Sequence, residues 1–410
     1  MGVGALKTAG IVAEFDPFHN GHKYLVKRAR ENGAQFVVSV MSGSFLQRGS
    51  CAVLGKYERA EAAVLGGVDL VLELPQVFAC ASAETFARGG VGVLKACGCV
   101  DTLCCGAEYL DGRVRWRALD ILEGADVRQF LIKGYSYPRA VFAAVERSGD
   151  LEAAKLFRSP NDVLALEYLK AGRDDFDFLT VRRTAPHDGD IPAENGVYPA
   201  CFGVDDRFIS ASAIRKMMIS GDDTYKEYVP ETTARIIEKA LEGGCCPVSF
   251  ENNERGVLSV LRRMTADELR ELPDVSEGLE NRLYKAVRSE NTVSDIIMNV
   301  KCKRYTYARL ARIVACAYLG IKKSDITKPM YIRVLAFNDK GARLLKEMKT
   351  KASLPVVMSA RDIKTLNSDA RRMIDIDIRA NDLFGLCTPA AMPCGEDYYT
   401  GALKIDDNGR

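Results

Sequence analysis

Short apolar runs alternate with stretches of helical period through the first half of the chain. An apolar segment over 9–13 stops before Pro17 and gives way to the helical spacing of Tyr24, Leu25 and Ala29, which predicts strand, short loop, helix. A continuous apolar run at 36–41 predicts a second strand. A helix over 56–65, a third strand at 68–75, a helix over 82–96 and a fourth strand at 100–105 follow in the same rhythm. Residues 113–171 are mostly helical in pattern, broken at 133–138 and at Ser159-Pro160-Asn161-Asp162, where a polar cap and a proline mark a helix start. A fifth strand is predicted at 176–181, and a helix opening over 209–215 runs to Met218. This alternation predicts right-handed crossovers, a parallel sheet and a ligand at the carboxyl ends of the strands.

Beyond about residue 230 the strand signal fades. Helical periods are predicted at 233–241, 257–264, 279–287, 293–300 and 307–319, and short strands at 331–337 and 354–358 flank a helix over 341–350. The pattern divides the chain into an α/β domain at 1–222 and a mainly helical domain with a small mixed α/β part at 223–410.

Composition narrows this only a little. Hydrophobic residues make up 47% of the 410 and charged residues 27%, with a net charge of +2, too near zero to name a partner. No run of eighteen apolar residues occurs and the first twenty positions lack an apolar leader, so a cytoplasmic protein without a membrane segment is expected. The thirteen cysteines include no CxxC pair and lie mostly in apolar runs, as free core thiols in a reducing compartment do.

The chemistry gathers at the predicted strand ends. His19-Asn20-Gly21-His22 holds two of the three histidines of the chain, at a loop exit and first helical turn, where unpaired N–H groups favour an anion. Gly21 leaves no side chain over the turn. The same pair could cap, pack or bind zinc, but no nearby thiolate or third histidine completes a zinc site, and no protein metal site is expected. Ser42-Gly43-Ser44-Phe45-Leu46-Gln47-Arg48-Gly49 is a ligand-facing loop after the second strand. Arg182-Arg183-Thr184 ends the fifth strand as a phosphate contact or a solvated edge. Ser210 and Ser212 with Arg215 form a second anion site or a plain N-cap.

Such groups suit attack on the α-phosphate of ATP with pyrophosphate leaving. His19, His22, Ser212 and Arg215 are the candidate catalytic donors, each preorganised donor being worth about 2.7 to 4 kcal/mol. Mg2+ is expected through the phosphates. The glycine pattern fits neither a P-loop nor a dinucleotide fingerprint. Downstream, residues 281–313 carry eight basic residues against Glu290 and Asp295, with Tyr305 and Tyr307 interleaved. Lys301, Lys303, Arg304, Tyr305, Tyr307 and Arg309 are candidate nucleic-acid contacts, the alternative being a solvated helix face with tyrosines anchoring the core.

Glu14-Phe15-Asp16-Pro17-Phe18-His19-Asn20-Gly21-His22 with Ile209-Ser210-Ala211-Ser212-Ala213-Ile214-Arg215 resembles the HxGH nucleotidyltransferase superfamily. The loop at 41–49, Asp69-Leu70-Val71-Leu72-Glu73-Leu74-Pro75, Ser159-Pro160-Asn161-Asp162 and Lys303-Arg304-Tyr305-Thr306-Tyr307 make the chain similar to the bacterial tRNA(Met) cytidine acetate ligases over most of its length. The resemblance implies a Rossmann-like parallel sheet followed by a helical tRNA-binding part. It implies activation of acetate by ATP to acetyl-adenylate and transfer of the acetyl group to N4 of the wobble cytidine of elongator tRNA(Met). ATP contacts would then fall on Val12, Glu14, Phe15, Phe18, His19, Gly21, His22, Leu25, Gly106, Asn161, Arg183 and Thr184. The family pattern has Asn where this chain has Asp16, whose carboxylate either points away from the phosphates or helps hold magnesium. A small-molecule adenylyl or cytidylyl transferase of the same superfamily is the alternative, for which the basic cluster would be surplus.

Overall fold

The structure is a computed structural model that describes residues 7–109, 111–183 and 207–406. Its strands are β1 (Thr8–Ala13), β2 (Phe36–Ser42), β3 (Leu70–Leu74), β4 (Thr102–Ala107), β5 (Asp177–Arg182), β6 (Ile332–Phe337), β7 (Val356–Val357) and β8 (Leu403–Lys404). They lie in one sheet ordered β5-β4-β1-β2-β3-β6-β7, with β8 beside β6. The first five run parallel, as the alternating pattern predicts, and helices cover both faces, which is why β3 is buried at every position. With the helical second half, this is the Rossmann-like α/β architecture expected above.

The chain builds β1, β2 and β3 outward and then returns across β1 to lay down β4 and β5, so the order reverses between β1 and β4. That reversal opens a crevice at the strand ends. Gly10 permits the close layer beside it: a Cβ there would lie 2.8 Å from Val100 Cγ1 and 2.9 Å from Leu94 Cδ1.

The second half contributes the expected helices and three further strands to the same sheet, β6 pairing antiparallel with β3. The strand and helix expected at 331–350 are β6 and the Asp339–Lys351 helix. Two features were not anticipated. The Ser368–Phe384 helix buries Ala370, Met373, Ile374 and Asp377, an i, i+3, i+4, i+7 stripe present in the sequence. The other is a buried ion cluster. Lys56 Nζ stands 2.9 Å from both Glu73 and Asp397, and Arg333 lies 3.3 Å from Glu73 and 2.9 Å from Asp397. Burial raises the Asp397 pKa, but Lys56 and Arg333 outweigh it and hold the carboxyl below its ordinary range. Removing one member would strand a buried charge, so the cluster ties the far end of the chain to the edge of β3.

Candidate active site

β1 delivers the chain to a tight turn in which Phe15 takes a φ of 48°, uncommon for an aromatic residue. Packing holds it there, its ring centroid lying 5.1 Å from Phe18 and 4.9 Å from His22. His19 then caps the Asn20–Glu31 helix. Its Nδ1 accepts from the Gly21 N–H at 3.0 Å, and His22 Nδ1 accepts from the His19 N–H at 3.3 Å, a reciprocal capping box built from imidazoles. A ring nitrogen that accepts carries no proton, so this network assigns the proton of each neutral ring to Nε2. The rings stack at 3.8 Å and 25°. Burial, then the charges of Arg183 and Arg215, lowers the His19 pKa to about 3, while burial, then His19 and Arg183, pushes His22 well below its ordinary value. Both rings are therefore neutral donors at pH 7.

Gly21 lines the first lobe, and its missing side chain also makes room for a neighbour. A Cβ there would lie 2.8 Å from His19 Cε1, so the position is reserved for the imidazole itself.

The histidines stand between two lobes of one crevice. The first, about 240 Å³, is walled by Val12, Leu25, Cys105, Gly106, Leu164 and Tyr168. The second, about 200 Å³, is lined by Leu46, Arg48, Ser50, Pro160, Ser210 and Ser212. Glu14, His19, His22, Asn161, Arg183 and Arg215 line both. The first lobe suits a flat apolar body and the second an anion. Burial, which outweighs the Gln47 N–H donated to Glu14 Oε1 at 2.8 Å, raises the Glu14 pKa.

Of the residues expected at the nucleotide, Val12, Glu14, Phe15, His19, Gly21, His22, Leu25, Gly106, Asn161, Arg183, Ser212 and Arg215 converge on this crevice. Phe18 does not line it: the ring is wholly buried against Gly66 and lies 5.6 Å from His22, which it supports from beneath. Thr184 lies outside the described residues, as does His187. Arg183 donates to Asn161 Oδ1 at 3.0 Å, and Asn161 to Glu108 at 3.3 Å, which orients the cation at the end of β5. Asp16 lies in the wall of the first lobe with its carboxylate already engaged. Its Oδ1 accepts from the Val53 N–H at 2.7 Å and its Oδ2 pairs with Arg215 at 3.3 Å, while Arg215 also donates to the Asp16 carbonyl.

Arg59 escaped the sequence reading. Wholly buried, it donates to the carbonyls of Glu14, Ser42, Gly43 and Leu54 and so joins the turn after β1 to the loop after β2. Its place in an amphipathic helix gave no sign of burial.

The basic region at 281–313 is less open than its charge count implied. Arg304 pairs with Glu277 at 2.7 Å, Arg312 with Asp274 at 2.8 Å, and Arg309 donates to the Asp274 carbonyl. Tyr305 is 4% exposed, with Arg282 and Arg309 guanidiniums over its ring, so that ring braces the surface and offers no face for stacking. Lys301, Lys303 and Tyr307 remain exposed. Among the described residues no group of three or more His, Cys, Asp or Glu is placed to hold a metal ion, and no helix is long and apolar enough to cross a membrane.

The family model described as HIGH Nucleotidyl Transferase matches residues 6–396. The tRNA(Met) cytidine acetate ligase of Acetivibrio thermocellus is 34% identical over 96% of this chain and 98% of its own, and that of Caldanaerobacter subterraneus 35% identical over 98% and 100%. The crystal structure of Thermotoga maritima TmcAL bound with alpha-thio ATP matches with a TM-score of 0.86 at 31% identity, covering 98% of this chain and 100% of that one. The apo form of the same protein matches at 0.87. The chain belongs to the HIGH nucleotidyl transferase family and, within it, to the tRNA(Met) cytidine acetate ligases.

Proposed function

We propose that this protein uses ATP to activate acetate as acetyl-adenylate, releasing pyrophosphate, and passes the acetyl group to N4 of the wobble cytidine of elongator tRNA(Met). The observation that carries the reading is the pair of neutral imidazoles at a helix start, each with Nε2–H left to donate, set between Arg183 and Arg215. Adenosine would occupy the apolar lobe beside Gly106 and the triphosphate would cross the histidines toward Ser212 and Arg215. Acetate oxygen attacks the α-phosphorus as the bond to the bridging oxygen breaks. The charge that builds on pyrophosphate meets donors fixed in place before the reaction, at about 2.7 to 4 kcal/mol each. No proton need be gained or lost by either histidine.

Magnesium would arrive on the triphosphate and neutralise its charge. Asp16 is engaged by Val53 and Arg215, so Glu14, which lines both lobes, is the carboxylate that would meet the ion. In the second step the exocyclic amine of cytidine attacks the acetyl carbon and AMP leaves, positioning supplying most of the effect. The second half of the chain, with Lys301, Lys303 and Tyr307 exposed, is proposed to hold the tRNA. Incubation with ATP, magnesium, labelled acetate and bulk tRNA followed by nucleoside analysis tests the whole reading. Label is expected in cytidine, and its absence would overturn the assignment.

A further inference from the structure

The loop after β2 reaches the crevice with one charged side chain that the reading above leaves unused. Residues 43–53 are tied down almost atom by atom. Leu46 N–H donates to Ser50 O and Gly49 N–H to Leu46 O, both at 2.9 Å, and Gln76 holds Phe45 from both sides at 3.2 and 3.1 Å. Gln47 donates to the Ala81 carbonyl while its N–H engages Glu14. Gly49 has a φ of 78°, and a Cβ there would land on the Ala311 carbonyl carbon and the Arg312 nitrogen. Within this rigid turn Arg48 is exposed, lines the second lobe, and has no hydrogen bond or ion pair among the described residues.

Resting on the ligase reading, we infer that this turn is the acid-binding subsite: the Arg48 guanidinium holds the carboxylate of acetate and Leu46 walls its methyl group. Two observations favour a carboxylic acid over another phosphate. Leu46, nearly buried, sets an apolar surface two residues from the cation, which a methyl group uses and a phosphate does not. The turn also presses through Gly49 on the Tyr307–Leu319 helix, which follows directly on the exposed Lys301 and Lys303, whereas the walls particular to the first lobe come from β1, β4, β5 and the Asn20–Glu31 and Pro160–Gly172 helices. The acetyl group must be reached by an RNA amine, and pyrophosphate need not be. Ser212 and Arg215 approach the same lobe from a different element, the Ala211–Ser220 helix and its start, leaving Arg48 to the nucleophile. In the step that results, a carboxylate oxygen forms the bond to the α-phosphorus, pyrophosphate departs with the electron pair, and no proton moves.

The test uses the full chain with Arg48→Ala and Arg48→Lys, reading acetate-dependent AMP formation in the presence of tRNA and, separately, equilibrium binding of ATP without acetate. Loss of one charge-assisted contact raises the KM for acetate by about tenfold to a hundredfold in Arg48→Ala, and Arg48→Lys recovers part of it. ATP affinity stays within about twofold, since an exposed side chain is removed. A fall in ATP affinity that matches the rise in acetate KM, or a rise confined to the KM for tRNA, would overturn the inference by giving Arg48 to a phosphate. An acetate-dependent wild-type enzyme with an unmoved acetate KM in Arg48→Ala overturns it alone. Wild-type turnover of ATP indifferent to acetate overturns the ligase reading and this subsite together.

Discussion

The crevice and the basic surface were both visible as clusters of functional residue types, and the fold treats them in opposite ways. In the crevice Arg215 meets Asp16 across 199 positions of sequence because strand ends converge, and both histidine Nδ1 atoms are occupied by backbone N–H groups. The backbone spends one side of each ring and leaves the other to a ligand. On the basic surface the cations spend their charge on their own chain: Arg304 on Glu277, Arg312 on Asp274, Arg282 on the Val300 carbonyl. Asp274 and Glu277 fall just outside the window in which charge was counted, and both have positive φ, 62° and 60°, which brings their turn under the arginines. A motif fixed by helix-start geometry transfers from sequence to structure. A charge count does not, because the neutralising partner can come from any neighbouring loop.

The sharpest way to break the comparison is His22→Ala. Removing one preorganised donor costs about 2.7 to 4 kcal/mol of transition-state stabilisation, so kcat for acetate-dependent ATP turnover falls roughly a hundredfold to a thousandfold. The helix keeps the His19 Nδ1 cap on Gly21 N–H, and far-UV circular dichroism stays near that of the wild type. A loss below about tenfold would mean that the imidazole caps the helix and does little else.

The same contrast explains how far the sequence reached. The first four parallel strands were legible because they are largely buried in the sheet and their apolar runs are nearly continuous, whereas β5, at the sheet edge, is only half-buried and carries a charged residue at each end. The helix start at His19 was legible because Gly21 and two imidazoles have few other uses at that spacing. The Ser368–Phe384 helix could have been found from its stripe, but its buried Asp377, which accepts from Gln76 N–H and Tyr331 OH, reads as a surface residue in sequence. The Lys56, Glu73, Arg333 and Asp397 cluster was illegible for a physical reason: each partner is ordinary in its own segment, and only pairing makes its burial tolerable. Phe18 illustrates the converse, a motif residue that belongs to the core beneath the site.

Acid titration sharpens the crevice side. In the unfolded chain a histidine titrates near 6.5, whereas His19 in the fold titrates near 3 and His22 well below its ordinary value. Between those limits the unfolded state binds more protons, so stability rises with pH. The contribution is complete above 6.5 and is lost as pH falls toward 3, at about 1.4 kcal/mol per pH unit for His19, with His22 adding in the same direction. Denaturant unfolding between pH 7 and pH 5 checks it: the wild type loses stability on acidification, and His19→Asn loses less. A histidine pair charged in the empty site would give the opposite slope.

The smallest effects lie on the basic surface, where the structure separates cations that the sequence could not. Lys301 and Lys303 are exposed, and Arg304 is bound to Glu277 at 2.7 Å. Each phosphate contact to a single strand contributes roughly 0.7 to the slope of log K against log salt, so replacing both lysines with alanine flattens the salt dependence of tRNA binding by roughly 1.4. Arg304→Ala frees Glu277 as it removes a cation, so two charges change character at once. If the pair is structural, the variant weakens tRNA binding by repulsion from Glu277, and Glu277→Gln binds as the wild type does. If Arg304 leaves Glu277 for a phosphate, Glu277→Gln tightens binding and Arg304→Ala lowers the slope by a full contact. Filter binding over a salt series distinguishes the two, and the second result would restore to the charge count the residue that the fold took from it.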